Sequence, residues 1–211
     1  MTERTIRWCG WAAMLGGAMW ATKGLAILIT GDQPPLLFEV PLLLFPIGLI
    51  GLYHRLLQSG ARPGRASKIV VYAALAAALL VLPVGLLLSD PPEVVLGVPI
   101  ATAALATVAG LVMLGRTARR TNAFPPPWHN LPLAMGVATP FLMTVVGGVL
   151  EAINERLLEV PLVVLAAGWI GLGTAIAGRN AAGVAAQGTK YEPRYPGRPL
   201  DHPGAGHLPW V

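Results

Sequence analysis

Charge is scarce in this chain. Only 12% of its 211 residues are Asp, Glu, Lys or Arg, against roughly 25% in an ordinary soluble domain. With so few charges and a mean hydropathy of +0.63, the chain is expected to be solvated mainly by lipid. Cysteine is nearly absent. Cys9 stands alone, so no internal disulfide can form, and no cysteine or histidine spacing supports zinc. His54 and His129 sit at the edges of apolar runs while His202 and His207 lie in the last ten residues, so no histidine pair inside a run can hold a haem or a metal. No Gly-rich phosphate loop and no Lys-bearing P-loop is present. Thr22, Thr102, Thr107, Thr139 and Thr144 lie in apolar runs with no histidine nearby in sequence, whereas a hydroxyl nucleophile needs a base. Hence no cofactor and no metal is expected, and catalysis lacks sequence support.

What the chain has in abundance is apolar length. Crossing the ~30 Å hydrocarbon core takes about 20 mostly apolar residues as a helix, because lipid offers no partner for free backbone groups. Six stretches qualify: Trp8 to Thr30, Pro35 to Leu56, Ile69 to Leu88, Val94 to Gly115, Leu131 to Ile153 and Leu157 to Ala177. The leader MTERTIR imitates a signal peptide, but the run behind it is too long and ILITGDQ has no small-x-small cleavage site. The expected fold is all-α: a polytopic integral membrane protein of six transmembrane helices in residues 1–178, followed by a Pro/Gly-rich disordered tail over 179–211.

The few charges are placed unevenly. Arg4 and Arg7 precede the first span; Arg55, Arg62, Arg65 and Lys68 separate the second from the third; Arg116, Arg119 and Arg120 follow the fourth; Arg179, Lys190, Arg194 and Arg198 follow the sixth. The opposite loops hold Arg156 among the acids Asp32, Asp90, Glu93, Glu151 and Glu155. Basic flanks stay in the cytoplasm, so both ends are expected there. Trp8, Trp11, Tyr53, Tyr72 and Trp128 fall near the same inner boundary, where amphipathic rings settle. Thirteen of the fifteen basic residues lie on that side, so topology and attraction to anionic lipid account for the pI of 9.9 without nucleic acid. Twelve Arg against three Lys, with much Ala, Gly and Pro, resembles the product of a GC-rich bacterial gene, and a bacterial inner (plasma) membrane is the expected location.

Short outer turns, the first two marked by Pro or Gly, join the spans into three helical hairpins, starting near Trp8, Ile69 and Leu131, 61 and 62 residues apart. Residues 37–52, LFEVPLLLFPIGLIGL, and 157–172, LLEVPLVVLAAGWIGL, match at nine of sixteen positions. A membrane alphabet inflates such counts, so the weight rests on Glu39 with Glu159, Pro41 with Pro161, and Gly48/Gly51 with Gly168/Gly171. The fourth span is a weaker relative: Val98-Pro99, Ala106 and Ala109 correspond, but Gly97 replaces the acid. A parallel internal repeat, with its axis along the membrane normal, is the reading this suggests.

Helices associate in lipid by close approach at small residues. Gly10, Gly17 and Gly24 recur every seven residues and share one face, and the Ala-rich fourth span is expected to be the most enclosed. Pro46 and Pro83 are expected to kink their helices, and Thr139 and Thr144 to return hydrogen bonds to backbone freed by Pro140. In the tail, Pro193, Pro196 and Pro199 fall every third residue beside Arg194 and Arg198, a spacing suited to a polyproline II contact with a partner or to a plain tether.

Charges inside spans are costly and by default mark function, which singles out Lys23, Glu39 and Glu159 as ligand- or ion-binding candidates. By helical rise Lys23 lies ~10 Å, and Glu39 ~6 Å, inside the outer end of its span, with Glu159 in the same outer layer. One amine and two carboxylates in one outer layer can pair, and Pro41 and Pro161 would leave the carbonyls of Leu37 and Leu157 free as further acceptors. The plainer alternative is snorkelling or a structural ion pair, with proline tolerated near a helix start. Two functions follow: a non-catalytic binding or scaffold subunit whose tail meets a protein partner, or a small transporter or ligand-binding component using these three residues.

Overall fold

Thr2 decides where the first helix begins. In the computed structural model, which describes residues 1–32, 37, 39–87, 93–126 and 128–178, the Thr2 hydroxyl accepts from the Thr5 amide at 3.3 Å, and Glu3 adds a favourable negative charge to the first turn. Helix α1 therefore runs Glu3–Thr30, starting ahead of its apolar run. It stops at Gly31, whose φ of 84° permits the left-handed cap that returns its amide to the Ile27 carbonyl. Helix α2 (Glu39–Gln58) continues through Pro46, α3 spans Arg65–Leu87 and contains Pro83, and α4 spans Glu93–Thr121.

The fifth span is not one regular helix. It divides into α5 (Leu131–Phe141), a π-helical turn (Leu142–Val146) and α6 (Gly147–Ile153). Pro140 has no amide to give to the Gly136 carbonyl; beyond it the ladder slips, and the Gly147 amide reaches back to Leu142. Thr139 donates to the Met135 carbonyl at 2.7 Å and Thr144 to the Pro140 carbonyl at 2.6 Å, so both threonines bond backbone one turn back, but neither makes the expected bond to the Gly136 carbonyl that Pro140 frees. A 3₁₀ turn (Glu155–Leu158), capped by Asn154, then leads into α7 (Glu159–Ala177).

The described residues are helical with no strand, and five helical stretches are long and apolar enough to cross a membrane: Glu3–Thr30, Glu39–Gln58, Leu96–Thr121, Trp128–Ile153 and Glu155–Ala177. The expected start of the second span at Pro35, the end of the third at Leu88, the turn at Asp90 and the whole tail 179–211 lie outside the described residues.

Helix α2, and not α4, is the enclosed one. In its most apolar stretch 61% of residues are buried, against 17% for α4. Size explains the reversal. Phe45, Leu49, Leu52 and Leu56 form one stripe of α2 that meets Ile6 and Ala13 of α1, Leu111 and Leu114 of α4, and Trp169, Leu172 and Ile176 of α7. The alanines of α4 instead leave Ala101 and Ala104 on the outside. Small residues allow close approach without requiring it.

Helix α1 packs most extensively on α7, and its glycines make the contact. A Cβ on Gly10 would lie 2.7 Å from the Ala177 nitrogen; one on Gly17, 2.7 Å from the Ala166 oxygen; one on Gly24, 2.7 Å from Val163 Cγ2. Gly48 and Gly51 of α2 face Ala13 and Cys9 of α1, while Gly168 and Gly171 of α7 face Met135 of α5 and Trp128.

Candidate functional site

Lys23 sits on the α7-facing side of α1, where Gly24 beside it lets the start of α7 come close. Glu159 is the first residue of α7, where the positive end of the helix dipole favours a carboxylate. The two meet: Lys23 Nζ lies 3.3 Å from Glu159 Oε1 and 3.5 Å from Oε2. Their side chains are 7% and 13% exposed, so each charge is largely withdrawn from solvent and depends on its counter-charge.

Glu39 opens α2 as Glu159 opens α7. Gly16 faces Phe45, Ala13 faces Gly48 and Cys9 faces Gly51; the same antiparallel register carried outward sets Glu39 level with Thr22, next to Lys23. Glu39 Oε2 is buried with no hydrogen-bond partner. Glu39 begins α2, and Glu159 begins the regular α-helix that follows the 3₁₀ turn. Pro41 and Pro161 are consequently third helical residues, where an amide has no intrahelical acceptor to lose. Leu157 belongs to the 3₁₀ turn, its carbonyl taken by the Glu159 amide, and Leu37 precedes α2. The repeated Glu-x-Pro is thus a helix-opening device in both places.

Three residues inward from Lys23, the Trp20 ring stands edge-on to Phe45 at 4.7 Å, and Phe45 stacks on Trp169 at 4.3 Å. Trp20 Nε1 is buried without a hydrogen-bond partner. The ion-paired layer therefore rests on an aromatic layer joining α1, α2 and α7. Among the described residues, no group of three His, Cys, Asp or Glu side chains is placed to hold a metal.

A second polar centre occupies the other end of the bundle, and sequence reasoning missed it. Arg55, counted above among loop charges, is 2% exposed. Its Nη1 donates to Glu3 Oε1 at 2.7 Å and its Nη2 to the Gly178 carbonyl, joining the start of α1 to the ends of α2 and α7. Its Nε has no partner. A signal was available: Arg55 follows Leu52 by three residues and so continues the stripe Phe45, Leu49, Leu52, Leu56.

Comparison with family models, with curated proteins and with solved structures finds no match to this chain.

Proposed function

We propose that this chain is a small, non-catalytic membrane protein of six spans, arranged as three hairpins with both ends in the cytoplasm of a bacterial inner membrane, and that it works as a binding or scaffold subunit. One observation carries the reading: the most deeply buried charges clamp helices together. Lys23 with Glu159 fastens α1 to α7 at one end, and Arg55 with Glu3 and Gly178 fastens α1, α2 and α7 at the other. A bundle tied at both ends is suited to holding a partner. Its outer faces carry Leu15, Leu79, Leu105 and Phe141, each more than half exposed or at half, as lipid or a membrane partner requires. The internal repeat gains support from the glycines, since Gly48/Gly51 and Gly168/Gly171 each face the first helix of their own hairpin or the turn leading into it.

Copurification from native membranes tests this reading. A stoichiometric protein partner, retained by the full chain and lost when residues 179–211 are removed, is the expected result; a chain that elutes alone contradicts it.

Glu39 favours a second reading. A buried carboxylate oxygen without a hydrogen-bond partner is an acceptor for a cation or protonated amine in a small transporter or ligand-binding component. Glu39→Gln and Glu159→Gln would then abolish ligand-induced thermal stabilisation; unchanged stabilisation in folded variants excludes it.

A further inference from the structure

The first turns of α1 present two unlike faces. Ile6, Cys9, Gly10 and Ala13 are buried. Arg4, Arg7, Trp8 and Trp11, spaced i, i+3, i+4 and i+7, share the other side and line a surface groove of about 200 Å³. Trp8 is 63% and Trp11 57% exposed. Glu3, the nearest acid in sequence, directs its Oε1 to Arg55 and makes no ion pair with either arginine. Arg4 and Arg7 have no ion-pair partner among the described residues. Burying Arg55 thus leaves two guanidinium groups uncompensated beside two exposed indoles.

We propose that this face of α1 is a docking surface for the headgroup of an anionic phospholipid. Guanidinium forks match phosphodiester oxygens in geometry as well as charge. Indole rings settle where apolar and hydrated regions meet. The continuation of the stripe selects lipid over an acidic peptide: one turn beyond Trp11 comes Leu15, 55% exposed. The groove therefore opens onto an apolar track where acyl chains lie, while the phosphodiester rests on Arg4 and Arg7. The site is at the far end of α1 from Lys23 and does not depend on a protein partner or on ligand binding there.

Tryptophan quenching in vesicles tests it, with the full chain in phosphatidylcholine containing a small fraction of either brominated phosphatidylglycerol or brominated phosphatidylcholine. Brominated phosphatidylglycerol is expected to quench more at equal mole fraction, and Trp8→Phe/Trp11→Phe to remove the extra quenching. Arg4→Gln/Arg7→Gln is expected to weaken the preference by roughly ten- to thirtyfold, at the usual contribution of each basic residue near an anionic surface. Arg119→Gln/Arg120→Gln, which removes two exposed bases at the end of α4, should leave it in place. Equal quenching by the two lipids, a preference that survives Arg4→Gln/Arg7→Gln, or one lost equally with the α4 pair would overturn the proposal.

Discussion

Gly10 and Gly173 meet backbone to backbone: a Cβ on Gly173 would lie 2.6 Å from the Gly10 oxygen, and one on Gly10 would lie 2.8 Å from the Gly173 oxygen. Neither neighbour is a side chain that can swing away. Gly10→Ala and Gly173→Ala are therefore expected to push α1 off α7 and cost roughly 1–3 kcal/mol each, the usual range for overpacking. Gly148, with nothing within 4 Å of its Cβ position, is the control, where alanine should be neutral or stabilising by up to about 1 kcal/mol. Thermal unfolding in one detergent compares the three.

That seam also shows how far the sequence could be read. The seven-residue spacing of Gly10, Gly17 and Gly24 identified a packing face, and α7 occupies it. Lys23 and Glu159 were singled out as charges in apolar runs, and they touch. Spacing could not say which helix would become central, because that depends on which large side chains converge, and Phe45, Leu49 and Leu52 outweigh the alanines of α4. Arg55 was misplaced for a related reason. Beside Arg62, Arg65 and Lys68 it looks like one more loop cation, and only folding brings Glu3 and the Gly178 carbonyl to it. Pro140 was recognised as freeing a carbonyl, yet the π turn that follows reflects how the whole ladder relaxes.

Breaking the Lys23–Glu159 pair should separate a structural role from a binding one. Lys23→Met leaves Glu159 buried without the amine it meets, a loss expected near 3 kcal/mol for a pair this enclosed, and Glu159→Gln removes the carboxylate that Lys23 meets on α7. Lys23→Met/Glu159→Gln together should recover most of it, since the stranded charge is gone. Unfolding measurements on the cycle check this; a double variant as unstable as the sum of the singles contradicts mutual pairing.

Arg55→Met should destabilise the bundle by roughly 1–3 kcal/mol, because the Glu3 carboxylate and the Gly178 carbonyl lose their donor together while Glu3, half exposed, can turn to water. Arg55→Lys keeps the charge but not a planar fork able to serve both acceptors, so it should recover only part of the stability. Full stability in Arg55→Lys would mean that charge alone suffices there.

Trp169 is 4% exposed and stacked on Phe45. Trp169→Ala removes the ring that ties α7 to α2, at an expected cost of about 3–5 kcal/mol. Trp169→Phe keeps an aromatic face for Phe45 and should cost clearly less. The two melting points, measured side by side, check the order.

The membrane topology is open to a direct measurement. Cys9 is buried, so in a Cys9→Ala background a membrane-impermeant thiol reagent reports only introduced cysteines. Asp32 and Asn154 are exposed at one end of the bundle, Arg62 and Asn122 at the other. Asp32→Cys and Asn154→Cys should label from outside intact cells, and Arg62→Cys and Asn122→Cys only after the membrane is opened. Labelling of Asp32→Cys and Asn154→Cys from opposite sides would contradict a bundle that holds Lys23 and Glu159 together beneath its outer face.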